Sequence, residues 1–187
     1  MEIKTPRPAK NLLFRWIKKD LKETGFVNSV GDIGCAELAF YSFFNTSNYY
    51  AYDIDIQRPT KASKYLSTNI KIKELDITKK NTEEKHDLVF CIQVMIGNLS
   101  FDMNKIEESI NNLINSVNKN GTLIVNIKTD TEIINKVKLK LEKSFNEVNI
   151  KKYGELNGRV RYPISRLLGK ILYLLNKFGY ESNGNRY

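Results

Sequence analysis

Cysteine and histidine are scarce in this chain of 187 residues: two cysteines, Cys35 and Cys91, and a single histidine, His86. So few thiol and imidazole ligands exclude zinc fingers, iron–sulfur clusters and multi-histidine metal centres, and no metal site is expected. The first ten residues hold Pro6 and Pro8 and no apolar core, so they do not read as a secretory leader. Two thiols without such a leader fit a reducing, cytoplasmic compartment. No uncharged apolar run approaches the ~18 residues that would span a bilayer. What is present is ordinary for a soluble globular chain: 41% hydrophobic and 27% charged residues. The length predicts one domain over residues 1–178, with 179–187 as a loose tail. A chain of this size buries about 70% of its unfolded surface and needs no disulfide or metal staple.

The formal net charge of +9 is unevenly spread. Residues 1–130 carry 18 basic and 16 acidic side chains, whereas residues 131–187 carry 12 and 5. A basic last third suits RNA or an anionic membrane as a partner. No recognised RNA-binding motif accompanies the charge, however, and 23 of the 30 basic residues are lysine, so RNA is not the favoured partner.

Hydrophobic periodicity alternates between strand and helix. Leu12, Leu13, Trp16, Ile17 and Leu21 fall at helical spacing in Lys10–Thr24, with Gly25 as a stop. Strands are expected at Phe26–Ile33, Tyr49–Ile54, Ile70–Leu75, Asp87–Ile92 and Thr122–Ile127. Helices are expected at Glu37–Asn45, Lys61–Ser67, Lys105–Val117 and Thr131–Ser144. A strand over Phe145–Tyr153 and another at Arg159–Tyr162, joined through Asn157-Gly158, would form a terminal hairpin, and Pro163 opens a last helix to Phe178. This alternation predicts an α/β fold: a doubly wound, mainly parallel sheet with an antiparallel edge strand and a C-terminal helix.

In such sheets ligands bind outside the carboxyl ends of the strands, where the strand order reverses. Three acids stand at successive strand ends. Asp32 lies in Val30-Gly31-Asp32-Ile33-Gly34-Cys35-Ala36, Asp53 follows 21 residues later in Tyr52-Asp53-Ile54-Asp55, and Asp76 lies in Leu75-Asp76-Ile77. An acid at the end of the second strand accepts hydrogen bonds from both ribose hydroxyls of a nucleoside, because a carboxylate only accepts.

These segments resemble the class I S-adenosylmethionine-dependent methyltransferases. Asp32-Ile33-Gly34-Cys35-Ala36 is similar to their glycine-rich first motif, Asp53 to the ribose-binding acid, and Asp76-Ile77 to the pair that clasps adenine. The run from His86 to Met95, including Ile92 and Gln93, resembles the fourth strand and its exit, and Asn120-Gly121 resembles the turn before the fifth. The resemblance spans Phe26–Ile127 and implies a Rossmann-like fold and S-adenosylmethionine as cofactor. Asp32, Gly34, Cys35, Ala36, Asp53, Ile54, Asp76, Ile77, Ile92 and Gln93 are then its contacts. The motif departs from the family pattern at Ala36 and Leu38, where glycines are usual. Leu38 would crowd the methionine moiety unless it turns inward.

The resemblance implies methyl transfer to a small-molecule or sugar-type (glycan) acceptor. The exit of the fourth strand, Gln93 to Asp102, forms the acceptor side, with Gln93 and Asn98 as orienting groups and Asp102 as the general base. No Asp/Asn-Pro-Pro-Tyr/Phe motif is present, which argues against nucleobase or glutamine amino nitrogens as acceptors. His86 precedes its strand and reads as surface or structural; Cys35 and Cys91 read as filler and core. The apolar stripe Ile164, Leu167, Leu168, Ile171, Leu172, Leu175 and Phe178 makes the last helix a packing element or a peripheral membrane contact over residues 163–178. An RNA methyltransferase using the basic last third, and a non-catalytic methyltransferase-like scaffold, are the alternative readings.

Overall fold

The computed structural model describes residues 17–19, 21–22, 24–66, 70–95, 102–127 and 131–150. The chain divides into two units, Phe26–Val148 and a second made of Met1–Gly25 with Asn149–Tyr187. In the second unit the described residues between Ile17 and Thr24 are helical, and the Gly25 N–H donates to the Leu21 carbonyl at 3.2 Å with Gly25 at φ 73°. That is the helix and glycine stop the sequence predicts. Leu12, Leu13 and Trp16, the Asn157-Gly158 turn, the edge strand at Arg159–Tyr162, the helix over 163–178 and the tail 179–187 lie outside the described residues.

Among the described residues the larger unit is built on five parallel strands: β1 (Phe26–Ile33), β2 (Asn45–Asp53), β3 (Ile70–Glu74), β4 (His86–Met95) and β5 (Val117–Ile127). Their order is β3-β2-β1-β4-β5, every neighbouring pair parallel. The chain winds outward from β1 to β3 and then restarts on the other side of β1, so the order reverses between β1 and β4. That reversal opens the crevice at their carboxyl ends.

Among the described residues of this unit, α-helices follow β2, β4 and β5: α1 (Gln57–Ser63), α2 (Met103–Asn115) and α3 (Thr131–Ser144). In α2, Ile106, Ile110 and Leu113 recur at helical spacing and are fully buried. They pack with Val137 of α3 on one sheet face, which carries Ile33, Tyr52, Val89 and Cys91. The opposite face holds Val30, Ala51, Leu88 and Phe90, all buried. Parallel pairing aligns these sets, since Val30 sits beside Leu88 and Asp32 beside Phe90.

Two expected elements are corrected. Glu37–Asn45 is not a helix: a chain of turns and one 3₁₀ turn, Tyr41–Phe43, leads straight into β2. Ala36 and Leu38 are left-handed, at φ 46° and 58°, which no α-helix accommodates. Tertiary contacts favour that path. Phe40 and Phe44 meet Phe90 edge-on with ring centroids 4.9 and 5.1 Å apart, and Tyr41 meets Tyr49 at 4.9 Å. Aromatic pairing of this kind outweighs the modest helix propensity of Phe and Tyr. The second correction concerns Phe145–Tyr153, whose described part, 145–150, is not a strand. The Phe145 N–H still donates to the Leu141 carbonyl at 2.9 Å, so the chain there finishes α3 rather than starting a ladder.

Candidate functional site

The site grows from the turn after β1. The Gly34 and Cys35 N–H groups both donate to the Tyr52 carbonyl, at 2.7 and 3.1 Å, which ties the turn to the end of β2. The next N–H, on Ala36, donates to Asp53 Oδ2 at 2.8 Å, and the Asp55 N–H donates to Asp53 Oδ1 at 3.0 Å. Asp53 therefore stands where the sequence places it, at the carboxyl end of β2 beside the glycine turn. One acceptor position on each oxygen is taken by backbone. A carboxylate offers about four such positions, so each oxygen keeps capacity for one hydroxyl.

Asp32 is buried, and its Oδ2 accepts a hydrogen bond from the Tyr49 hydroxyl. Burial pushes its carboxyl up to about 7; the Tyr49 hydrogen bond opposes the rise, and the charge of Asp53 adds to it. Cys35 is buried too, and burial pushes its thiol upward, followed by the charges of Asp32 and Asp53, so it is no nucleophile. Cys91 is a core residue, its thiol likewise raised by burial.

At the end of β3, Asp76 accepts from the Thr78 hydroxyl at 2.6 Å and the Thr78 N–H at 3.1 Å, with Lys79 Nζ 3.2 Å away. The Thr78 hydroxyl is the largest influence holding Asp76 below the usual carboxylate range. Ile77 turns into the core beside Leu75, whereas Ile54, next to Asp53, is 66% exposed. Ile92 is buried. Gln93 belongs to the final residues of β4, and Asn98 lies outside the described residues.

Asp102 is the N-cap of α2. Its Oδ1 accepts from the Lys105 N–H at 3.2 Å, and Lys105 Nζ lies 3.4 Å from Oδ2. The backbone hydrogen bond from Lys105 lowers its pKa, which weakens it as a proton acceptor. The contacts it displays are those of a helix cap.

His86 is structural, but it is fully buried rather than on the surface. Its Nε2 lies 3.0 Å from the Tyr52 hydroxyl, which also donates to Glu84 Oε2 at 3.1 Å, while Lys73 Nζ pairs with both Glu83 and Glu84. Burial pushes the imidazole down to about 4. The ring covers Gly31, where an added Cβ would lie 2.5 Å from His86 Cδ2. Sequence reasoning missed this chain of polar contacts; the small residue at Gly31, opposite a lone histidine, was the one available signal. Val94, which lies over the β1 turn, was also missed, and nothing in the apolar run of β4 marks it.

Among the described residues no group of three His, Cys, Asp or Glu side chains is placed to hold a metal ion. No described helix is long and apolar enough to cross a membrane.

No family model and no curated protein matches the sequence. Solved structures do match the fold. The N-methyltransferase NodS from Bradyrhizobium japonicum WM9, in complex with S-adenosyl-L-homocysteine, superposes with a TM-score of 0.61 at 18% identity, over 81% of this chain and 93% of that one. A second NodS structure gives 0.60 at 19% identity, over 73% and 82%. CalS10 from Micromonospora echinaspora, an amino pentose methyltransferase bound to S-adenosylmethionine, gives 0.52 at 11%, over 68% and 53%. The chain thus has the Rossmann-like fold of the class I S-adenosylmethionine-dependent methyltransferases.

Proposed function

We infer that the protein is an S-adenosylmethionine-dependent methyltransferase acting on a small-molecule or sugar-type acceptor. The observation that carries this reading is Asp53, fixed at the carboxyl end of β2 by two backbone N–H groups and still able to accept two hydroxyls. The similarity to NodS and to CalS10, whose ligands are S-adenosyl-L-homocysteine and S-adenosylmethionine, supports it.

Bound S-adenosylmethionine supplies a methyl group on a cationic sulfonium, already a good leaving centre. The chain's contribution is therefore alignment, charge and exclusion of water. Asp53 holds the ribose hydroxyls, and exposed Ile54 offers the adenine an apolar surface. Asp76, at the end of β3, offers an acceptor to an exocyclic amine. The backbone of Gly34, Cys35 and Ala36 shapes the turn, and the carboxyl groups of Asp53 and, once ionised, Asp32 favour a cationic ligand there. Ile92 and Gln93 bring the end of β4 to the same crevice. Isothermal titration calorimetry with S-adenosyl-L-homocysteine tests the reading: binding that Asp53→Ala weakens supports it, and no heat from a folded protein refutes it.

A second reading, a non-catalytic methyltransferase-like binding protein, is favoured by one specific feature. Leu38 is buried in a left-handed conformation within the turn, and a single 3₁₀ turn rather than an α-helix follows it. Binding without turnover of any acceptor is its signature.

A further inference from the structure

Between Cys91 and Met95, β4 advances by four residues while its partner β5 advances only from Val125 to Ile127. The surplus is a bulge, a device that re-aims side chains at the rim of a sheet. Here it brings Val94 onto the turn after β1. A Cβ built on Gly34, at φ 72°, would stand 2.2 Å from Val94 Cγ2, so the valine methyl fills the space the glycine leaves. Buried Cys35 and Leu38 close the same turn from within. The neighbouring strand ends differ: Ile54 and Ile56 are 66% and 42% exposed beside Asp53.

The apolar side chains that follow β2 are therefore open to a ligand, whereas the β1 turn is closed by Val94, Cys35 and Leu38. A nucleoside whose ribose is held at the end of β2 directs its 5′ substituent toward the β1 turn. We propose that Val94 is a specificity gate for that substituent. The resting site accepts adenosine-like nucleosides, and a bulky 5′ amino-acid group enters only when the β4 bulge moves aside. The proposal rests on the nucleoside reading of Asp53 and adds a selectivity that reading does not require.

Calorimetry on the full chain with adenosine and with S-adenosyl-L-homocysteine reads the gate as the ratio of the two dissociation constants. Val94→Ala removes the methyl groups packed on Gly34, so the homocysteine adduct is expected to tighten roughly tenfold while adenosine changes by less than about twofold. Val94→Ile shifts the ratio the other way and guards against a loosened strand end in the alanine variant. Nucleoside binding with one ratio in all three proteins overturns the gate and leaves the proposed function standing. No heat with either ligand from any of the three folded proteins overturns both.

Discussion

Asp32 and His86 are buried titratable groups whose effects on stability oppose each other, and removing either should expose the other. Asp32 is 2% exposed with its carboxyl pushed up to about 7, against an ordinary 3.8. The folded protein thus holds a proton that the unfolded chain has released. Its stabilising effect is complete below pH 3.8 and is lost as pH rises through 7. His86 is 0% exposed with its imidazole pushed down from 6.5 to about 4. Its contribution is complete above pH 6.5 and is lost as pH falls toward 4. Each unit of displacement is worth about 1.4 kcal/mol, so the full swing is about 4 kcal/mol for Asp32 and about 3 kcal/mol for His86. Between pH 4 and 6.5 the two nearly cancel. Asp32→Asn keeps an acceptor for the Tyr49 hydroxyl and removes the charge. Relative to wild type, it should gain about 4 kcal/mol of stability between pH 4 and 7.5. His86→Gln should lose about 3 kcal/mol relative to wild type over pH 4 to 6.5. Urea unfolding followed by circular dichroism at a series of pH values measures both differences. Difference curves flat with pH would refute the burial argument for both groups.

Other outcomes follow from single contacts. Asp53→Ala should weaken S-adenosyl-L-homocysteine binding at least about tenfold by calorimetry, since two charge-assisted hydrogen bonds are lost. Asp55→Ala should weaken it far less, because the Asp55 carboxylate accepts from the Gln57 N–H at 3.1 Å at the start of α1. Asp102→Asn should leave both the melting temperature and turnover near wild type, as Asn caps a helix as well as Asp does; a fall in turnover of roughly a hundredfold would restore Asp102 as the base. Gly31→Ala forces a methyl to within 2.5 Å of the His86 ring, and should cost about 1–3 kcal/mol in urea unfolding.

The strand buried on both faces was the most legible: Asp87–Ile92 reads as a near-continuous apolar run and lies inside β4. Phe26–Ile33 is found as expected, and β3 differs from the expected Ile70–Leu75 by one residue. The same logic failed between Glu37 and Asn45. There Phe40, Tyr41 and Phe44 have helix-compatible spacing, yet their rings meet Tyr49 on β2 and Phe90 on β4, and Phe43 meets Phe40. Periodicity registers the apolar face of a segment and not which distant ring will claim it. The beginning of α1 was also missed: Pro59 is buried within the first turn of Gln57–Ser63, upstream of the expected Lys61 start, where a proline's fixed φ suits a helix.

The acids were legible for a different reason. Carboxylates at the carboxyl ends of parallel strands stand out against apolar runs, so Asp32, Asp53 and Asp76 could each be placed from spacing alone. Their environments could not be. Asp32 and Asp53 read alike in sequence and both are buried, yet one faces a phenol while the other is held by two backbone N–H groups. That difference comes from Tyr49 and Ala36, each 17 residues from the acid it meets. It divides the work between the two. Asp53 is anchored by two backbone donors and keeps acceptor capacity for a ligand. Asp32 sits near neutral pH on the threshold of ionisation, where an approaching cation is the partner that would favour its charged form. A cationic ligand entering the β1 turn should therefore draw a proton off Asp32, and calorimetry in buffers of different ionisation heat reads that release directly. Proton release on binding that disappears in Asp32→Asn is the expected result, and release unchanged by that substitution would assign the proton elsewhere.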